Sequence, residues 1–346
     1  MRADRVYGGD VHDGEETGVI GIGILGAGGI AERAMVEPAR GVEGVEVVAI
    51  GARDPERARA FADRLDLPAW GDYDAVLSDP RVDLVYLALP PIVHAEWAQR
   101  ALAAGKHVLC EKPLSANGTT AEAIADAADA TGRRAFVGFH FRLHGFTREL
   151  LDTIGSGVLG EVKLVEIDFS IPHFVVQPGN IRLDGDLAGG AVMDVGCYAV
   201  DLLRAAFGEP EVIKATAQTY DADPRIDLQT DAELRLPGGI PALLRASFLG
   251  DDQGAMWVRV DGSDASLLAT SVIVPQWGAT LTVTSSDGEV LRSVAAEPGE
   301  NSYARQLEHL RDVLADGSPS VLDAHRGAGT MRVVDAIYRA AGLQPR

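Results

Sequence analysis

Residues 26–31 read Gly-Ala-Gly-Gly-Ile-Ala, and what flanks them narrows the fold more than anything else in the chain. Before them runs Val-Ile-Gly-Ile-Gly-Ile-Leu (19–25), apolar in the manner of a parallel strand buried on both faces. After them, residues 30–40 read as a helix. Strand, glycine turn and helix in that order form a Gly-x-Gly-x-x-Ala phosphate-binding turn. Gly26 permits the tight turn, Gly28 lets backbone approach a pyrophosphate, and Ala31 lets helix and strand pack closely. Ala27, Gly29 and Ile30 complete the turn, and the helix start offers free N–H groups to an anion. Taken alone, the six residues also suit a glycine-rich turn in some other α/β fold.

The next hundred residues keep the alternation. Strands are expected at 45–50, 84–89, 107–110 and 134–139. Between them, Asp54-Pro55-Glu56 opens a helix as cap, first residue and acidic first turn. Helices at 93–104 and 118–131 end at Gly105 and Gly132. This spacing predicts right-handed βαβ units and a doubly wound parallel sheet, a Rossmann α/β fold. Past Arg142 the character changes. After a helix at 146–155, segments 161–170, 211–220, 229–236, 241–249, 256–260 and 280–284 alternate as antiparallel strands do. Helices return at 302–316 and 324–341. The expected organisation is a flexible acidic arm (1–17), a cofactor domain (18–141), an α+β substrate and oligomerisation domain with an open, mostly antiparallel sheet (142–300), and C-terminal helices (301–346) packing back on the first domain.

Charge limits the partners. Lys and Arg number 31 against 51 Asp and Glu, a formal net charge of −20. Such a chain repels phosphate backbones, so no nucleic-acid partner is expected. An anionic ligand must be held by a local pocket against the global field. The two cysteines, Cys110 and Cys197, cannot build a disulfide framework or a multi-Cys zinc site. No apolar run reaches the roughly 18 residues of a membrane span, and no apolar leader core precedes the first strand. A cytoplasmic protein is expected. No His-Glu-x-x-His or Gly-x-Ser-x-Gly pattern occurs, so neither a catalytic metal nor a serine nucleophile is expected.

The end of the second strand bears on the cofactor. A carboxylate there suits the ribose 2′-hydroxyl of NAD, and a cation suits the 2′-phosphate of NADP. The residues are Gly51-Ala52-Arg53-Asp54, with Arg57 one helical turn further on. Asp54 reads most simply as a helix cap, although it can reach a ribose. NADP is the expected cofactor, with Arg53 and Arg57 contacting its phosphate.

Further motifs occur at Pro90 to His94, Gly105-Lys106-His107-Val108, Glu111-Lys112-Pro113, Arg142, and Gly189-Gly190-Ala191-Val192-Met193-Asp194-Val195-Gly196-Cys197-Tyr198. Together with the glycine turn they resemble the glucose–fructose oxidoreductase / inositol dehydrogenase (Gfo/Idh/MocA) family over roughly residues 18–340. The resemblance implies that Lys112 sits beside the nicotinamide and the reacting substrate carbon. It implies cofactor contacts from Leu89, Pro90, His94 and Glu111. Pro91 stands where the family commonly shows an asparagine, which removes one side-chain hydrogen bond. Tyr198 stands where many relatives carry a histidine. It resembles the subgroup containing glucose–fructose oxidoreductase, dihydrodiol dehydrogenase and sugar keto-reductases.

Asp194 and Tyr198 are four apart and share a face if helical. Asp194 is expected to orient substrate or lysine. Tyr198 is expected to handle the proton, its phenol pKa lowered from about 10 by the Lys112 ammonium if it acts as a base. In the reducing direction the neutral phenol gives its proton directly. Arg142 is expected to contact substrate or nicotinamide, and His94 serves equally well as a helix-cap residue. His140, His144 and His173 fit packing or surface roles better than the cleft. Cys110 and Cys197 read as small buried residues rather than a redox switch.

The resemblance implies hydride transfer between NADP and a sugar, either an aldose oxidised at C1 or a keto-sugar reduced. Alternatives are a trans-dihydrodiol dehydrogenase-like activity, a non-catalytic NADP-sensing regulator, and redox-assisted glycoside hydrolysis with a tightly held NAD. A homodimer or homotetramer formed through the outer face of the C-terminal sheet is expected.

Overall fold

A computed structural model describes residues 18–346, so the arm expected over 1–17 lies outside the described residues. Six strands build the first sheet: β1 (Ile20–Leu25), β2 (Val45–Gly51), β3 (Trp70–Gly71), β4 (Leu84–Leu87), β5 (His107–Cys110) and β6 (Ala135–Val137). All pairings are parallel, in the order β3-β2-β1-β4-β5-β6. The order reverses between β1 and β4, and ligands of such sheets sit outside the carboxyl ends of the strands at that point. Ile22, Ile24, Val85, Leu87, Val108 and Leu109 are buried, as strands covered by helices on both faces require.

The helix ends follow local chemistry. Asp54 accepts a hydrogen bond from the Glu56 N–H at 3.0 Å and starts Pro55–Leu65. Asn117 and Thr120 form a reciprocal capping box that starts Gly118–Thr131, and Gly132 ends it in the left-handed conformation. Strand β4 stops at Leu87 rather than residue 89, because the chain turns into the Pro91–Val93 helical turn.

The second sheet has eight strands: β7 (Val162–Pro172), β8 (Glu211–Tyr220), β9 (Asp223–Arg235), β10 (Pro241–Gly250), β11 (Ala255–Gly262), β12 (Ala265–Thr270), β13 (Thr280–Ser285) and β14 (Val290–Ala295). Their order is β14-β13-β12-β11-β7-β10-β9-β8, and only β7 and β10 pair in parallel. One face is buried: Ala242, Leu244 and Ala246 point inward while Leu243 and Arg245 point outward. Strands β3, β12 and β14 and the short helix Tyr73–Ser78 have no counterpart among the sequence expectations. In β12, adjacent Leu267 and Leu268 hide the alternation, though only Leu267 is buried. In β14 nearly every side chain is exposed, so pairing with β13 rather than burial defines it.

Both C-terminal helices lie against the first sheet's layer. On Ala324–Ala340, Asp335 accepts from the Gly118 N–H at 3.1 Å, and Arg332 pairs with Glu122 at 2.7 Å. Arg134 donates to the carbonyls of Val313 and Ser318 near the end of Ser302–Asp316. Among the described residues, no helix is long and apolar enough to cross a membrane.

Candidate active site

The carboxyl edge of the first sheet gathers the residues singled out above. Gly26 follows β1, Arg53 follows β2, Leu89 and Pro90 follow β4, Glu111 and Lys112 follow β5, and His140 follows β6. Gly26 has φ +113°, and a Cβ there would lie 2.3 Å from the Ala88 carbonyl oxygen, so only glycine fits. At Gly28 and Gly29 a Cβ would meet nothing within 4 Å, which leaves open room in front of the helix start. Ala31 behind them is fully buried, and Ala27 and Ile30 are half-buried beside the turn. This cradle of backbone fits a dinucleotide pyrophosphate.

Arg53 and Arg57 are exposed, and neither has an acidic partner among the described residues. The Asp54 carboxylate is engaged as the helix cap. The strand end therefore presents two unneutralised guanidinium groups, the donor set that a 2′-phosphate requires.

At the other end of the cleft the charges are paired. Lys112 Nζ donates to Asp194 Oδ1 at 2.7 Å and to the Asp194 carbonyl oxygen at 2.9 Å. Arg182 Nε donates to Asp194 Oδ2 at 2.6 Å. Burial would raise the Asp194 pKa, but the Lys112 and Arg182 charges prevail and hold it at about 2. Lys112 goes the other way. Burial would lower its pKa, yet the neighbouring Asp194 raises it, so the ammonium persists at neutral pH. Its Nζ lies 5.1 Å from the centre of the Tyr198 ring, which Phe139 and Phe141 flank edge-on at 5.6 and 5.5 Å. Asp194 sits in a widened helical turn, Val192–Gly196, that runs into the helix Cys197–Phe207 carrying Tyr198. Such widened turns recur at functional sites, and a second, Glu32–Val36, follows the glycine turn.

The model of the Gfo/Idh/MocA oxidoreductases with an NAD-binding Rossmann fold matches residues 20–139, and that of the family's C-terminal domain matches residues 147–268. The chain belongs to the Gfo/Idh/MocA oxidoreductase family. D-xylose 1-dehydrogenase (NADP(+)) 2 of Haloferax volcanii is 36% identical over 92% of this chain and 96% of its own. The dTDP-3,4-didehydro-2,6-dideoxy-alpha-D-glucose 3-reductase of Streptomyces violaceoruber is 31% identical over 95% of this chain and 97% of its own. KijD10, a 3-ketoreductase from Actinomadura kijaniata solved with NADP and TDP-benzene, matches with a TM-score of 0.85 at 27% identity, covering 93% of this chain and 98% of that one.

Within this Gfo/Idh/MocA chain several expected residues take other positions. The Tyr198 phenol is not lowered: burial, then the neighbouring Tyr303 and Glu111, push it well above 10. Asp194, beside Lys112, pushes it further in the same direction. His94 is fully buried, with Nδ1 3.1 and 3.2 Å from the carbonyls of Pro113 and Leu114 and Nε2 2.8 Å from that of Leu89. Both ring nitrogens face backbone carbonyls of the β4 and Lys112 loops, so neither is offered to a cofactor. Arg142 is not offered to substrate either. Its Nη1 donates to Asp201 at 2.9 Å in a buried pair, and its Nε has no partner.

Glu111 points inward. It accepts from Tyr86 Oη at 2.6 Å and from the Lys112 N–H at 3.1 Å, and burial raises its pKa. Leu89 and Pro90 are half-buried at the cleft. His140 and His144 are buried and His173 is peripheral. His140 Nδ1 lies 2.8 Å from Ser302 Oγ, with its ring 4.0 Å from that of Tyr303. Cys110 and Cys197 are both buried, with thiol pKa values raised by burial, that of Cys197 to about 12. They are inert packing residues. Arg182 and Tyr303 escaped the sequence reading. Arg182 lies in a helical turn, Ile181–Leu183, too short to show a period, and Tyr303 reads as one more apolar position on a helix.

Proposed function

We propose that this chain is an NADP-dependent oxidoreductase that moves a hydride between the nicotinamide and a sugar carbon, with keto-sugar reduction as the favoured direction. The observation that carries the reading is the Lys112–Asp194 pair against the Tyr198 ring, at the carboxyl edge beside the glycine turn. NADP is held by the backbone of Gly26, Ala27, Gly28, Gly29 and Ile30, with Arg53 and Arg57 on its 2′-phosphate; Leu89 and Pro90 line its path. The bound cofactor supplies the hydride. Asp194 stays ionised and aims the Lys112 ammonium, which donates a hydrogen bond to the substrate carbonyl oxygen. Tyr198, whose phenol keeps its proton at neutral pH, gives that proton to the developing alkoxide. Lys112 then stabilises the negative charge of the phenolate so formed until solvent returns a proton. Phe139 and Phe141 hold the Tyr198 ring by edge-on contacts.

Two relatives, a D-xylose 1-dehydrogenase (NADP(+)) and a 3-ketoreductase solved with NADP, support both cofactor and substrate class. The cofactor belongs to residues 18–141 and the substrate to 142–300, with 301–346 folded back. The chain works in the cytoplasm as a homodimer or homotetramer. Its contact is the outer face of the eight-stranded sheet, where Ile213, Leu243 and Leu268 are exposed beside the cross-strand ion pairs Lys214–Glu233 and Arg245–Asp231.

The test is calorimetric titration with NADPH and NADH side by side, followed by a keto-sugar screen that reads NADPH oxidation. Tight NADPH, weaker NADH and turnover of a keto-sugar are expected. Binding of neither cofactor overturns the reading.

A further inference from the structure

The segment that delivers Asp194 and Tyr198 is fastened from behind by a buried charge cluster that none of these steps uses. Asp227, on β9, is fully buried. Its Oδ2 accepts from the Val192 N–H at 2.8 Å and from Thr230 Oγ1 at 3.0 Å. Its Oδ1 accepts from Tyr338 Oη at 2.8 Å and from Arg346 Nη2 at 3.1 Å. Arg346, with 4% of its side chain exposed, also donates from Nε to the Gly189 carbonyl at 3.0 Å and stacks 4.3 Å from the Tyr338 ring. Its own carbonyl accepts from Asn117 Nδ2 at 2.6 Å, where the first domain's helix Gly118–Thr131 begins. Gly190 lies between the two pinned points with φ +129°, and a Cβ there would stand 2.2 Å from Asp227 Oδ1. Gly190 thus admits a buried carboxylate to the backbone. The Gly190 carbonyl in turn accepts from the Asp194 N–H at 3.0 Å.

We infer that Arg346 and Asp227 are positioning residues for the reaction: by pinning Gly189 and Val192 they set the turn that places Asp194 on Lys112. The inference rests on the functional reading above for what Lys112 does, but the placement of Asp194 can be measured without it. With the clamp lost, Asp194 drifts and Lys112 loses its counter-ion. The ammonium then loses both its aim and its raised pKa. The glycine turn and Arg53 stand on other elements, so cofactor affinity is spared.

The test uses the whole protein and three variants, Arg346→Gln, Arg346→Lys and Tyr338→Phe. Acylation of Lys112 is read by peptide mass spectrometry against exposed Lys163, with Lys106 as a check that the first domain is intact. Each unit by which the Lys112 pKa falls raises its free-amine fraction about tenfold. In Arg346→Gln, relative Lys112 acylation is expected to rise about tenfold, Lys106 to stay unchanged, and the NADPH Kd to move less than about threefold. The primary isotope effect with deuterated NADPH is expected to increase. Arg346→Lys restores a charge to Asp227 but no second donor to Gly189, so it falls between. A folded Arg346→Gln protein with wild-type Lys112 reactivity overturns the inference, even if it melts earlier. Should that variant not fold, Tyr338→Phe, which removes one hydroxyl donor to Asp227, decides: a smaller rise in Lys112 acylation supports the clamp, and no change overturns it. A wild-type protein that turns over no sugar counts against the functional reading, while the acylation result still judges the clamp.

Discussion

The two ends of the cofactor cleft are built on opposite electrostatic plans. At the glycine turn, Arg53 and Arg57 are exposed without acidic partners among the described residues, and Gly28 and Gly29 face open room. At the other end, one carboxylate, Asp194, bridges the Lys112 and Arg182 cations, and aromatic rings flank Tyr198. A binding end leaves its donors unsatisfied until the anion arrives, so each contributes to affinity. A chemical end has its charges paired and aimed beforehand, so that little reorganisation is left for the reaction. The contrast also explains how a chain of net charge −20 attracts a polyanion: two local arginines and the backbone N–H groups at the helix start favour an anion at this one place.

The largest effect expected is at the paired end. Lys112→Ala should cut turnover about 10³-fold, read as steady-state NADPH oxidation with a keto-sugar. A fall below tenfold would break the contrast by making the lysine incidental. Tyr198→Phe should cost about 100-fold. Because the phenol is held protonated, its loss should slow keto-sugar reduction without introducing a new pH dependence near neutrality. At the open end, Arg53→Ala should weaken NADPH by about 10- to 30-fold, the worth of one charged hydrogen bond, and leave NADH nearly unchanged. Equal weakening of both would remove the 2′-phosphate assignment.

The smallest effect concerns the frame between the ends. His140 is buried neutral, its pKa pushed down to about 3 by burial and by the Lys112 and Arg33 charges. His94 is also lowered by burial. An unfolded chain takes up protons on these rings near pH 6.5, and the folded one does so only below its lowered values. The stabilisation is thus complete above about pH 6.5 and is lost as pH falls below it, at about 1.4 kcal/mol per unit for each neutral ring. The Asp194 contribution is complete above about pH 4 and is lost only as pH falls towards about 2. Urea unfolding at about pH 7 and about pH 5 should therefore show weakening before the catalytic carboxylate titrates. Equal stability at both would mean that these rings are not held neutral.

Legibility followed the range of the interactions. Helix Gly118–Thr131 lay open to reading because its cap and its terminating glycine adjoin it. The glycine turn was legible because strand, turn and helix are consecutive. Arg142 was misjudged because its partner, Asp201, stands far along the chain on another helix. For the Tyr198 phenol the sequence left two roles open, a lowered base or a neutral proton donor, and the burial that favours the second comes from residues distant in the chain. Strand β14 was missed because it buries little, and Arg182 because its helical turn, Ile181–Leu183, is too short to show a period.

The separation of binding from chemistry is tested most directly by titrating Lys112→Ala with NADPH in the calorimeter beside the wild-type protein. Dissociation constants within about threefold of each other, well under one kcal/mol, are the result expected if the open end alone holds the cofactor. Loss of NADPH affinity on removal of this one ammonium would contradict the account, because the lysine would then belong to the binding end and the two ends would not be distinct.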